Sequence, residues 1–196
     1  FAKTIAQAKE IPFIAVNHLA GHALTVRLTN NIDFPYLLLL ISGGHSSFYY
    51  LKNLNQCIYL GGTLDDAVGE AFDKIGKILG LKFPGGPELE KMALRGNEDA
   101  FIFPKPLVDR VATNLNLSFS GLKSHIINFV NNRNKNLLSK TFVEDIAASF
   151  QKTISEILID KLEKAIRHCN LKLPNYSSVV ISGGVASNLY LRKKFV

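Results

Sequence analysis

The sequence is poor in cysteine, poor in charge and without a long apolar run. Cys57 and Cys169 are the two cysteines in 196 residues. They cannot staple a disulfide scaffold, and isolated thiols suit a reducing, cytoplasmic compartment. The longest purely aliphatic stretch, Leu37–Ile41, falls far short of the roughly 20 apolar residues that cross a bilayer, so no membrane partner is expected. Charged residues are only 20% of the chain against 47% hydrophobic, which excludes intrinsic disorder. Residues 1–10 hold neither the apolar core run nor the cleavage site of a signal peptide, and they read instead as the tail of a helix. With no methionine at its start and the basic cluster Arg192-Lys193-Lys194 close to its end, the chain is expected to be a piece of a longer protein. Acidic residues are the scarcer charge, 16 against 23 basic, for a formal net charge of +7.

What is present is an alternation of strands, glycine turns and helices. Residues 14–16 predict a short strand and 18–29 a helix. Tyr36–Ile41 is an unbroken apolar run, as expected of a strand buried on both faces. It stops at Ser42-Gly43-Gly44, and the alternation over 45–51 predicts a strand returning from a hairpin, with a third strand over 56–60. A helix is expected over 65–80, with Asp65 and Asp66 at its start and Val68, Phe72, Ile75 and Leu79 as its apolar stripe. A Pro/Gly loop follows over 81–87, then a short helix over 88–95, an irregular stretch over 100–120 and a helix over 122–130. The longest 3.6-periodic element runs over 141–169, with Glu144 and Asp145 in its first turn. A second buried strand, 179–181, again meets Ser-Gly-Gly, at 182–184, before a helix over 186–194. Strands, glycine turns and helices in this order predict an α/β fold.

Several constellations could carry chemistry. A glycine turn at the end of a buried strand lets successive N–H groups surround an anion, although Ser42-Gly43-Gly44 would serve a tight hairpin equally well. Ser182 to Asn188 joins a strand to a helix, a usual place for a nucleotide. Asn188 has the donor and acceptor to read an adenine edge, or it simply caps the helix. His18 and His22, four apart, share a helix face and could chelate one metal. The metallopeptidase version requires a Glu beside the first histidine, and Leu19 stands there. Two histidines also leave a metal site in need of further ligands. Asp66, Glu70 and Asp73 share a helix face and could bind ribose hydroxyls, a divalent ion or a basic partner, or form a solvated acidic face. Between Asp109 and Glu144 the charged residues are all basic, namely Arg110, Lys123, Arg133, Lys135 and Lys140, interleaved with Asn131, Asn132, Asn134 and Asn136. That stretch suits a phosphate backbone, or a plain polar loop.

The ordered motifs are Asn17-His18-Leu-Ala-Gly-His22, Leu40-Ile41-Ser42-Gly43-Gly44-His45, Thr63-Leu-Asp-Asp-Ala-Val-Gly-Glu-Ala-Phe-Asp73-Lys, Leu79-Gly-Leu-Lys-Phe-Pro-Gly-Gly86-Pro, Ser118-Phe-Ser-Gly-Leu-Lys123 and Ser182-Gly-Gly-Val-Ala-Ser-Asn188. Together they strongly resemble the tRNA threonylcarbamoyladenosine synthesis transferase family, TsaD, over essentially the whole chain. The resemblance implies a two-lobed actin-like ATPase fold of the RNase H-like type. Residues 1–35 would close the first lobe and carry the metal motif, and 36–196 would form most of the second lobe with its nucleotide loops. It implies transfer of the threonylcarbamoyl group from threonylcarbamoyl-AMP to N6 of the adenosine beside the tRNA anticodon. By resemblance, His18 and His22 are ligands of one divalent metal ion, iron or zinc. Leu40, Ile41, Ser42, Gly43 and Gly44 contact the adenylate phosphate and acyl part, Asp73 and Gly86 hold the ribose, and Asn188 faces the adenine. No acid or base residue is assigned. Implied partners are tRNA, a paralogous partner subunit and a small P-loop ATPase. The family's first nucleotide loop and its third metal ligand, an aspartate, are expected outside this stretch of sequence. A non-catalytic scaffold of the same complex and an actin-like kinase are the competing readings. The His pair, Asp73 and Asn188 speak against the scaffold, and the His pair is unexplained in a kinase.

Overall fold

The computed structural model describes residues 1–108, 114–133, 139–173 and 175–195. The apolar run forms β1 (Tyr36–Ile41), and every residue of it is fully buried. It lies inside a four-stranded sheet of order β3-β2-β1-β4. Strands β2 (Ser46–Asn53) and β3 (Gln56–Gly62) follow antiparallel, while β4 (Ser178–Ser182) runs parallel to β1, with Leu40 opposite Ser182. Because both parallel strands end in Ser-Gly-Gly, the two glycine turns emerge side by side at the C-terminal end of β1 and β4.

Strand alternation divides the apolar run between two cores. Leu37, Leu39 and Ile41 join Phe48 and Tyr50 against α3 (Val68–Ile78), α4 (Gly85–Ala93), α5 (Ser120–Asn131) and α6 (Lys140–Lys172). Tyr36, Leu38 and Leu40 face the other way and meet Ala23 of α2 (His18–Leu24). The Tyr36 hydroxyl donates to the Ala23 carbonyl at 2.8 Å and fastens α2 to the sheet. Helix α1 (Ala2–Ala8) precedes it, a 3₁₀ turn (Thr25–Leu28) follows it, and α7 (Leu189–Lys194) comes last.

Several expected boundaries move. Residues 14–16 form no strand; Ile14 and Val16 are exposed and pair with no strand among the described residues. The helix expected from Asp65 begins at Val68, whose N–H donates to the buried Ser46 hydroxyl at 2.8 Å. The 81–87 loop is shorter than its composition predicts, since Gly85 already opens α4. Helix α6 starts at Lys140, capped by Ser139, so Glu144 and Asp145 fall beyond the first turn. Strand β4 stands at the sheet edge with only Val180 buried, not the fully buried strand expected. A 3₁₀ turn (Gly184–Ser187) precedes the last helix, which begins at Leu189.

Candidate functional site

A cavity of about 310 Å³ opens where the two glycine turns meet α3 and α4, and Gly43, Asp73, Gly86, Gly184, Ser187 and Asn188 line it. Four residues singled out from the sequence thus share one cavity: Gly43, Asp73, Gly86 and Asn188. Asp73 accepts through Oδ1 from the N–H groups of Gly85 (2.7 Å) and Gly86 (3.4 Å), so it caps α4 from the neighbouring helix. Its Oδ2 has no partner among the described residues and is free to accept from a ligand hydroxyl. The close crossing of α3 and α4 allows this. A Cβ on Gly85 would stand 2.8 Å from the Asp73 Cα, and one on Gly76 would stand 2.9 Å from the Gly85 Cα.

Asn188 is both cap and wall. Its Oδ1 accepts from the Leu191 N–H at 2.9 Å and its Nδ2 donates to Gln151 Oε1 at 2.8 Å. One N–H and one lone pair of the amide remain for a ligand. Ser42 closes the first turn on His45, donating its N–H to the His45 carbonyl (2.7 Å) and accepting the His45 N–H on Oγ (3.1 Å). The N–H groups of Gly43 and Gly44 have no partner among the described residues, as an anion nest requires. Leu40 and Ile41 are fully buried in opposite cores, so their side chains hold the turn from behind.

His18 and His22 lie one turn apart on α2, with ring centroids 4.6 Å apart. Helix α2 is capped by Asn17 and held to β4 by the Ser182 hydroxyl, which donates to the His22 carbonyl at 3.0 Å. That bond brings the pair beside the second glycine turn. His45 of the first turn approaches too, its ring 5.9 Å from that of His18. Among the described residues no group of three or more His, Cys, Asp or Glu could hold a metal ion. Two borderline imidazole nitrogens fit as two ligands of iron or zinc and leave the shell open.

The acidic cluster does not act as one face. Asp66 pairs with Lys74 (2.7 Å) and Lys123 (2.5 Å), and Glu70 pairs with Lys74 (2.8 Å). Asp65 accepts from the N–H groups of Phe119 (2.8 Å) and Ser120 (3.2 Å) and from the hydroxyls of Ser118 and Ser120, capping α5 rather than α3. Burial raises the Asp65 pKa, but these four hydrogen bonds outweigh it and hold the carboxyl below its ordinary value. A depressed folded-state pKa gives stability that is complete above the unfolded value and is lost as pH falls through the folded one. Asp65→Ala is therefore expected to cost about 1 kcal/mol at pH 7, as for other lost caps. The gap to the wild type should narrow below about pH 4, as read by urea denaturation at each pH.

The basic stretch is only partly a free surface. Lys123 is bound to Asp66, and Arg133 lies over the Phe129 and Phe142 rings, at 5.0 and 4.5 Å. Arg110, Asn134, Lys135 and Asn136 lie outside the described residues.

Residues 1–196 match the family described as TsaD: tRNA N6-adenosine threonylcarbamoyltransferase. The chain belongs to the TsaD family. A relative bearing that description in Rickettsia rickettsii (strain Sheila Smith) is 51% identical over 195 residues, 98% of this chain and 56% of the relative. Another, in Rickettsia bellii (strain OSU 85-389), is 48% identical over 194 residues, with the same coverage. The chain thus spans little more than half the length of these TsaD relatives. A solved structure, the activator of the 2-hydroxyisocaproyl-CoA dehydratase from Clostridium difficile with bound ADPNP, matches with a TM-score of 0.48 and 16% identity. It covers 91% of this chain and 56% of that one. Within this TsaD chain, the cavity also recruits residues that sequence reasoning passed over. Glu90 lines the wall and accepts the Leu189 N–H at 2.6 Å, tying α4 to α7. Gly69 donates its N–H to the Ser42 carbonyl at 3.2 Å and docks α3 on the first turn. A glycine inside a helical apolar stripe was the available signal for Gly69; for Glu90 the sequence holds none.

Proposed function

We propose that the protein of which this chain forms the described part transfers the threonylcarbamoyl group from threonylcarbamoyl-AMP to N6 of the adenosine beside the tRNA anticodon. The observation that carries this reading is the shared cavity. It sets the unengaged Asp73 Oδ2 beside the first glycine turn and the remaining donor of Asn188. In this reading Asp73 accepts from a ribose hydroxyl, Gly86 leaves room for the sugar, and Asn188 faces the adenine. The Gly43 and Gly44 N–H groups take up charge as AMP leaves. Ser42, Leu40 and Ile41 fix that turn at the end of β1. His18 and His22 would hold one divalent ion, iron or zinc, which when bound polarises the carbamoyl or phosphate oxygens.

The substrate is a mixed anhydride, so no protein nucleophile is needed. N6 attacks the carbamoyl carbon, the carbon–oxygen bond to phosphate breaks, AMP departs with the electron pair, and N6 releases a proton. The thiols are suited to no part in this. Burial pushes Cys169 up to about 11 and also raises Cys57, so neither is a thiolate at neutral pH. The remaining work is positioning the amine against the acyl carbon. Residues 1–35 would belong to the first lobe of an actin-like fold and 36–196 to the second, in a cytoplasmic assembly with a paralogous subunit and a small P-loop ATPase. Full-length protein with these partners, given threonylcarbamoyl-AMP and unmodified tRNA, is expected to yield N6-threonylcarbamoyladenosine and equimolar AMP by mass spectrometry. AMP release without modified nucleoside would overturn the acceptor assignment, and no turnover at all would favour the scaffold reading.

A further inference from the structure

A second hollow, of about 390 Å³, lies on the outer side of the α3–α4 crossing. Glu70, Lys74, Lys77, Leu81, Lys82, Phe83 and Gly85 line it, and Asp73 belongs to both this groove and the nucleotide cavity. Phe83 is 86% exposed and touches no other ring among the described residues. An exposed phenyl of this kind offers an uncovered π-face to the groove it lines. The charges around it are unevenly engaged. Lys74 is held by Asp66 and Glu70, and Asp73 gives one carboxylate oxygen to the Gly85 and Gly86 N–H groups. Lys77 and Lys82 are exposed and have no ion pair among the described residues. Two unengaged cations flanking a bare aromatic face match single-stranded RNA, in which phosphates meet lysines and an unstacked base lies on the ring. An acidic protein surface would use the lysines but not the ring.

We propose that Phe83, flanked by Lys77 and Lys82, is a stacking platform for a nucleotide of the RNA acceptor adjacent to the one being modified. This rests on the reading above, in which the acceptor is an RNA loop. The shared Asp73 wall gives the reason for the position. A base resting on Phe83 stands next to the cavity in which the adenylate is held, so the flanking nucleotide anchors the loop while the target amine reaches the acyl carbon.

The test uses the full-length protein with an end-labelled, unmodified anticodon stem–loop RNA, followed by fluorescence anisotropy over a range of salt. AMP binding is measured alongside by calorimetry. Phe83→Ala is expected to weaken RNA binding about tenfold, the scale of one lost base–aromatic stack, while Phe83→Tyr stays within about twofold of the wild type because it keeps the π-face. Lys77→Ala/Lys82→Ala is expected to lower the log–log salt slope by about 1.4, the value for two phosphate contacts on a single strand. AMP affinity should be unchanged in all three. RNA binding equal to wild type in Phe83→Ala would overturn the inference, whatever the double lysine variant does, and leave the transfer reading standing. A parallel loss of AMP affinity would also overturn it, by marking a collapse of the α3–α4 crossing. A wild type that binds AMP but no RNA would instead sink the acceptor reading itself.

Discussion

His18→Ala is expected to lose the metal and the transfer activity together, each by at least about a hundredfold, since removal even of groups that only support a metal ligand costs 10–100-fold. The fold gives no reason for this variant to unfold. His18 is exposed on α2, while that helix is fixed by Asn17 at its cap, by Tyr36 on the Ala23 carbonyl and by Ser182 on the His22 carbonyl. Removing one of two imidazoles 4.6 Å apart leaves a single protein nitrogen on this helix, which cannot chelate. His125, exposed on α5 and 6.0 Å from the Phe103 ring, is the comparison, and His125→Ala should keep both metal and activity. Metal content by mass spectrometry and single-turnover transfer by full-length protein decide the matter. Stoichiometric metal retained by His18→Ala would remove the pair from the metal site.

The largest expected loss of stability is at the second glycine turn. Gly183 has φ 102°, and a Cβ there would stand 2.7 Å from the Ile41 carbonyl carbon and closer still to its oxygen. Those atoms belong to β1, the fully buried strand paired on both sides, so they have no room to retreat. Left-handed strain of about 1–3 kcal/mol adds to overpacking of about 1–3 kcal/mol, so Gly183→Ala is expected to cost about 3–4 kcal/mol. For a domain of this size that lowers Tm by about 10 °C. Gly184 provides the control, since a Cβ there meets nothing within 4 Å and its φ is not positive. Gly184→Ala should stay within about 1 kcal/mol of the wild type. Thermal unfolding of the three proteins reads the difference directly, and equal Tm values would show that the Gly183 turn can relax away from β1.

Both experiments depend on features with different visibility in the sequence. The apolar run 36–41 announced β1 because a strand buried on both faces needs no polar alternation, and the repeated Ser-Gly-Gly marked the ends of β1 and β4. The roles of the polar side chains were hidden. Asp65 and Asp66 look like caps for the helix that follows them, yet Asp65 caps α5 and Asp66 binds Lys74 and Lys123. Ser46, at the start of β2, supplies the α3 cap in their place. A cap needs only an oxygen at the right point in space, and a residue far along the chain meets that condition as well as a neighbour does. For the same reason the glycines of 84–87 read as a loop, when the Asp73 carboxylate stabilises a helix start there.

The order of residues already carries the apolar pattern that makes the sheet, the two glycine turns, the helical spacing that puts His18 and His22 on one face, and the family. These are properties of residue type and interval along the chain, and they survive without any knowledge of contacts. That the parallel pairing of β1 with β4 brings both turns to one end of the sheet follows from the folded chain alone. The fold also leaves one Asp73 carboxylate oxygen without a partner among the described residues, divides the Asn188 amide between Leu191, Gln151 and the cavity, and sets Phe83 bare beside Lys77 and Lys82, which have no ion pair among the described residues. Each of these turns on which donor or acceptor is already satisfied by a distant residue, and the chain's order does not encode that.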